Sequence, residues 1–196
     1  MNFIVWNVRG LNDPLKQKDI VGRIRSLKVQ MVCFLETRVK ENKSQSIIDR
    51  HFKGWKWIHN YKEAYNERIW ILWKDYMKVN LVDVNAQCIT CDVIMGTKQF
   101  YMSVVYGFNE RSSRRSLWRN LCGLKGSFSR KPWLLAGDYN IIAKLEESSS
   151  YDGNQRISSD MREFQECLHV CRSWKWLTIL IQDQFSLGLI IKMRAF

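Results

Sequence analysis

The run Pro132-Trp133-Leu134-Leu135-Ala136-Gly137-Asp138-Tyr139-Asn140 constrains the fold more than any other stretch of the chain. Trp133 to Ala136 are apolar without interruption and read as a short strand buried on both faces. Gly137 breaks the run, and Asp138 and Asn140 follow, two residues apart. In extended chain that spacing turns both side chains to the same side. A carboxylate and a carboxamide then leave the end of a buried strand together, at the end where open α/β sheets place their chemistry. The plainer reading of the same residues is a strand closed by an Asp/Asn turn.

The segments before this run alternate between strand and helix character. Phe3-Ile4-Val5-Trp6 is β-prone and ends in Asn7, with Arg9-Gly10-Leu11-Asn12 as a turn. Pro14 to Leu27 carries Leu15, Ile20, Ile24 and Leu27 at helical spacing, which predicts an amphipathic helix. Val29 to Leu35 predicts a buried strand that ends in Glu36-Thr37-Arg38. Strand, helix, strand points to a layered α/β architecture. If the two strands are adjacent and parallel, Asn7 and Glu36 are neighbours. Lys40 to Phe52 reads as a polar helix. Strands then follow at Trp55–Ile58, Ile69–Trp73, Val79–Val84, Gln87–Ile94 and Gln99–Val105, an antiparallel meander that ends at Tyr106-Gly107-Phe108-Asn109. Arg111 to Leu124 predicts a basic helix with Leu117, Trp118 and Leu121 on one face. A Ser/Gly/Asp-rich loop is expected over Leu145 to Asn154, and a helix over Asp160 to Cys171 with Met161, Phe164, Cys167 and Leu168 as its stripe.

The length of 196 residues suits one domain with a real core. Lysine and arginine number 31 against 19 acidic residues, a net charge of +12. With no long apolar span and no lipidation signal, that excess points to a polyanion, nucleic acid before membrane. The start lacks a basic leader and a cleavage site, and the six cysteines are scattered. A nuclear or cytoplasmic protein with reduced thiols is the natural reading. Cys88 and Cys91 form a lone pair without the second pair that a structural zinc site needs.

Polar residues thus stand at the ends of several expected strands: Asn7, Glu36, Tyr106 with Asn109, and Asp138 with Asn140. Glu36 is a hard oxygen ligand of the type that Mg²⁺ takes. Asp138 suits the orientation and deprotonation of a water. Asn7, Asn109 and Asn140 suit phosphate oxygens, and Tyr106 suits developing charge. Together they are the parts of a metal-assisted phosphodiester hydrolase.

Five motifs in order carry a resemblance: Trp6-Asn7-Val8-Arg9-Gly10-Leu11-Asn12, Leu35-Glu36-Thr37-Arg38, Ile69-Trp70-Ile71-Leu72-Trp73, Val105-Tyr106-Gly107-Phe108-Asn109 and Gly137-Asp138-Tyr139-Asn140. The chain resembles the DNase I-like endonuclease/exonuclease/phosphatase family over residues 1 to about 171, and within it the endonuclease domain of plant LINE-type retrotransposons. The resemblance implies a four-layer α/β sandwich, two sheets between helices, here C-terminally incomplete. It implies Mg²⁺-dependent (or Mn²⁺-dependent) nicking of DNA, with a reverse transcriptase downstream in the ancestral protein and absent from this chain. Glu36 would hold the metal with Asn7, Asp138 would position the water, and Tyr106 and Asn109 would face the scissile phosphate. Asn140 and Arg9 would join Asn109 in binding it. A non-catalytic, basic nucleic-acid-binding remnant is the alternative.

The resemblance stops near Cys171. The family carries an Asp-His pair close to its C-terminus, and His51, His59 and His169 do not match it. Residues 172–196 are rich in Ile and Leu, look strand-like, and read as a frameshifted tail. Shifting the codons from Trp174 permits a string that contains Asp-His-Pro and Gly-Ser-Val-Phe-Thr-Trp-Ser-Asn, as the family has after its last helix. A domain that has lost those strands is expected to leave unpaired sheet edges and to nick slowly or not at all.

Overall fold

The computed structural model describes residues 2–65, 69–128, 131–145, 156–172, 177–181 and 189–192. Asn66 and Glu67, and all of the expected loop after Leu145 up to Asn154, lie outside the described residues. The elements are β1 (Asn2–Asn7), α1 (Pro14–Ser26), β2 (Met31–Leu35), α2 (Glu41–His51), β3 (Trp55–His59), β4 (Trp70–Lys74), β5 (Lys78–Val84), β6 (Cys88–Met95), β7 (Lys98–Tyr106), α3 (Arg111–Leu124), β8 (Trp133–Asp138), α4 (Ser159–Arg172), β9 (Leu177–Ile181) and β10 (Leu189–Lys192). They form two five-stranded sheets, ordered β10-β1-β2-β4-β3 and β5-β6-β7-β8-β9.

Strand alternation builds the layers. Phe3 and Val5 of β1, and Met31, Cys33 and Leu35 of β2, face Val104, Leu134 and Ala136 of the second sheet in one buried cluster. The intervening residues Ile4, Val32 and Phe34 face away, against Ile20, Ile24 and Ile47 of α1 and α2. In the same way Trp133 and Leu135 pack outward on Leu117, Trp118 and Phe164 of α3 and α4. The result is the four-layer sandwich, helices outside and sheets within. Phe3, Phe34, Trp70 and Trp133 are almost wholly buried, each contributing about 1.5–3 kcal/mol of transfer free energy.

Helix α1 begins where the sequence places it, at Pro14, with Asp13 accepting from the Leu15 amide at 2.9 Å. Its buried face differs from expectation. Leu15 is exposed, and Gln17, Ile20, Val21 and Ile24 form the stripe, because the i, i+3, i+4, i+7 spacing runs from residue 17 rather than 15. The expected single meander is also divided. β3 and β4 pair with each other and with β2, whereas β5, β6 and β7 belong to the other sheet. The chain crosses between sheets in the short stretch between Lys74 and Lys78. Cys88 and Cys91 sit on opposite faces of β6, in different clusters, so they cannot share an ion.

The tail strands correct the expectation that lost strands leave unpaired edges, since β1 and β8 are both covered. β9 runs parallel to β8, with Trp133 opposite Leu177. β10 runs antiparallel to β1, with Phe3 opposite Ile191. A run of Ile and Leu has the β-branched, apolar character that sheet edges accept whatever its origin.

α3 and α4 are joined by charge as well as by apolar contact. Glu163 accepts from Arg111 at 2.5 Å and from Arg115 at 2.9 Å, and Asp160 pairs with the buried Arg114. The Arg115 and Arg111 hydrogen bonds hold the Glu163 carboxyl down at about 2, from an ordinary value of 4.5. The folded chain therefore binds this proton more weakly than the unfolded chain does. The stability it contributes is complete above the ordinary value and is lost as pH falls toward the folded one. Glu163→Gln should thus lower the melting temperature at about pH 6 and have a shrinking effect toward about pH 3, as read by circular dichroism melts across that range.

Candidate active site

The inner-face rows that fill the space between the sheets end in polar residues. Asn7 continues the row of Phe3 and Val5, and Asp138 continues that of Leu134 and Ala136. They meet at the common rim of the two sheets, where Asn7 Nδ2 donates to Asp138 Oδ2 at 3.0 Å. The other oxygen, Oδ1, accepts the Asn140 backbone N–H at 3.0 Å. Asp138 is 5% exposed, so both oxygens are satisfied by fixed neutral donors. Asn7 Oδ1 accepts from the Arg9 amide at 3.1 Å, which locks the Asn7 amide in one orientation.

Glu36 lies one residue past β2, whose last residue, Leu35, is opposite Asn7 in parallel register. Its backbone adopts φ +54, and its carbonyl accepts from the Gly10 amide at 2.7 Å. That turn starts at Glu36, a residue 8% exposed, one position past the Asn7–Leu35 pair at the rim. Arg38 forms an ion pair with it and is itself 63% exposed at the side chain. Arg38 stood in a sequence motif, but its partner was not legible there. Lys16 Nζ lies 3.4 Å from the Arg9 carbonyl, so this turn carries positive charge on several sides.

Tyr106 ends β7 directly opposite Asp138 and is buried on the inner face. Gly107 follows, donating to the Asp138 carbonyl at 2.8 Å and accepting from Asn140 Nδ2 at 2.5 Å. Two glycines make this approach possible. A Cβ on Gly137, at φ +152, would lie 2.0 Å from the Val105 carbonyl oxygen, and one on Gly107 would lie 2.6 Å from that of Tyr139. Tyr139 itself is fully buried against Trp118 and Phe164, and burial pushes its phenol well above the ordinary value. It serves as an anchor for the turn.

The Asp138-Tyr139-Asn140 segment is not extended. Asn140 has φ +50, and its amide closes an Asx turn on Asp138. The expected shared direction of the Asp138 and Asn140 side chains therefore gives way to a turn, in which Asn140 ties β8 to Gly107. The turn and the site turn out to be the same feature. Asn109 is exposed beyond β7. Its carbonyl and that of Phe108 accept from Arg114 Nη1 at 2.7 and 2.6 Å, and Gln87 Oε1 accepts the Phe108 amide at 2.8 Å. Gln87 and Arg114 therefore shape the loop that presents Asn109. Sequence reasoning missed both: Gln87 reaches Phe108 from 21 residues away, and Arg114 reads as one more charge of a basic helix.

The histidines have their contacts elsewhere. His51 bonds Gln17 at 3.1 Å, the His59 ring packs tilted against Trp57 and edge-on to Tyr61, and His169 is exposed on α4.

No sequence-family profile matches the chain, and no curated protein matches it. Solved structures do match. An AP endonuclease from Archaeoglobus fulgidus superposes with a TM-score of 0.65 at 14% identity, over 87% of this chain and 70% of that one. The fold is DNase I-like. The 3′ phosphatase NExo from Neisseria, bound to a product DNA hairpin, gives 0.64 at 14% identity over 87% and 71%. Truncated Caenorhabditis elegans TDP2 gives 0.55 at 13% identity over 78% of this chain. The chain spans 66% and 50% of two such TDP2 chains. One of these neighbours is an AP endonuclease and another a 3′ phosphatase bound to DNA, and at such identity the likeness shows the shared fold. Among the described residues no helix is long and apolar enough to cross a membrane.

Gly137→Ala should place a methyl group against the Val105 carbonyl and cost on the order of 3 kcal/mol. Urea unfolding reads the loss, and an unchanged midpoint would contradict the crowding described here.

Proposed function

We propose that this chain is a metal-dependent DNA-nicking domain of reduced activity, derived from the endonuclease of a LINE-type retrotransposon. The observation that carries the reading is the Asn7–Asp138 hydrogen bond across the two sheets, with Glu36 at the same rim. The DNA-processing neighbours and the net charge of +12 support DNA as the substrate. Localisation to the nucleus or cytoplasm goes with this reading.

A hard divalent cation, Mg²⁺ or Mn²⁺, fits the donor set. Glu36 is a nearly buried carboxylate whose guanidinium partner is largely solvent-exposed and able to swing away, and Asn7 adds an amide oxygen. The cation would supply charge neutralisation at the phosphate and at the departing oxygen. Asp138 is held in one orientation by Asn7 and Asn140, so its carboxylate can align a water and take its proton. Tyr106, beside Asp138 in register, donates to a phosphate oxygen. Arg9, Asn109 and the second N–H of the Asn140 amide bind the phosphate and fix its register. No histidine stands in a position to neutralise the departing oxygen, so hydrolysis should be slow. The domain assigned here runs over residues 1–171, and sequencing the coding DNA across residues 165–196 tests the frameshift origin of the tail.

With Mg²⁺ and supercoiled plasmid, the chain should convert closed circles to open circles slowly. Asp138→Ala should lower that rate by about a thousandfold or abolish it, and chelation should do the same. A rate equal to that of the archaeal AP endonuclease would contradict the reduced activity. The second reading, a binding module without catalysis, is favoured by the Glu36–Arg38 ion pair, which keeps the metal-binding carboxylate occupied. It predicts no nicking, with salt-dependent DNA binding in chelator that survives Glu36→Ala.

A further inference from the structure

The opposite end of the first sheet carries a second concave site. A cavity of about 480 Å³ opens where α1 hands over to β2, α2 to β3, and β4 ends. Arg25, Lys28, Arg50, Lys53 and Lys74 line it, and no Asp or Glu does. The ion pairs found among the described residues include none of these five. Arg25 and Arg50 complement the C-terminal ends of α1 and α2, but Lys28, Lys53 and Lys74 lie outside both helices. Five like charges around one hollow repel one another unless an anion enters. His51, also in the lining, responds to this field. Burial first, then Arg50 and Arg25, lower its proton affinity.

The lip of the cavity is aromatic. Tyr76 is 61% exposed, and Trp55 has the Lys74 ammonium 4.5 Å from its ring centroid. A basic trough with an open aromatic face is the pattern that holds single strands, charge tracking the backbone and rings stacking on bases. The volume suits a ligand on the order of one nucleotide. Its concavity also favours a threaded strand over a flat bilayer surface.

We propose that this cavity binds the backbone of single-stranded nucleic acid, without sequence preference, as a contact separate from the site at the Asn7–Asp138 rim. β2 has five residues and runs from the cavity to Glu36, a span of about 16 Å. A phosphate held in the cavity is therefore not the one being cleaved.

The test uses the full chain in chelator, so that cleavage plays no part, with a fluorescein-labelled oligo-dT 12-mer read by anisotropy at several NaCl concentrations. Arg50→Gln/Lys74→Gln should weaken binding about tenfold at 0.1 M salt and reduce the log–log salt slope by about 1.4, two phosphate contacts' worth. Arg50→Lys/Lys74→Arg should restore the slope. Arg119→Gln/Arg162→Gln, a charge-matched control on α3 and α4, which pack on the other sheet, should stay within about twofold of the parent. Equal losses in the cavity variant and the control would overturn the proposal in favour of diffuse attraction. So would an unchanged cavity variant. Cavity-dependent binding to phosphatidylserine vesicles, with no cavity-dependent binding to the oligonucleotide, would overturn it in favour of a membrane. Binding is read in chelator and without cleavage, so a chain that fails to nick plasmid leaves this result intact.

Discussion

Phe3, Val5, Leu134 and Ala136 meet between the two sheets, and their rows fix the spacing at which Asn7 and Asp138 face one another. A hydrogen bond of 3.0 Å tolerates little sliding of one sheet over the other. The polar rim is therefore only as well placed as the apolar layer beneath it. Gly137 makes the same point from the backbone side, since the β7–β8 approach leaves no room for a methyl group beside the Val105 carbonyl. Chemistry at the rim and packing in the layer are one design problem, solved by alternation along the strands.

That alternation is why so much was legible in the sequence. Pattern placed Asn7, Tyr106 and Asp138 at strand ends; the two-residue alternation of the folded strands then turns them inward. Three things were not legible. Asn140 takes a left-handed conformation, which no period describes. The strands from Trp55 to Val105 look like one meander, because local pattern marks strands and not their sheet. Arg38, Gln87 and Arg114 act through partners chosen by the fold, Gln87 reaching 26 residues to Ser113 and Arg114 46 residues to Asp160. The helix stripe that was misplaced at Leu15 shows a smaller limit, since a terminal apolar residue fits the spacing without being covered.

The site divides its labour between rigid and exposed groups. Asp138 and Asn7 are held by neutral donors and acceptors, which keep orientation without neutralising charge. Glu36 is instead matched by an exposed guanidinium, an arrangement that protects a nearly buried anion yet can be released. His51 and His59 are engaged in contacts away from this rim, and His169 is exposed on α4. Positive charge is spread over both ends of the first sheet, so under the nicking reading binding and cleavage would be separable properties of one surface.

The pairing of β1 with β10 has a consequence for biosynthesis. The second residue of the chain finds its sheet neighbour only at residue 192. Until that stretch has been synthesised, one side of β1 presents unpaired amides and carbonyls, however well α1 and β2 have already packed. Contacts of such sequence separation are slow to form. A nascent chain would thus carry a sticky margin along β1 until residue 192 emerges, and holdase chaperones or a crowded polysome would meet that margin before the fold could seal it.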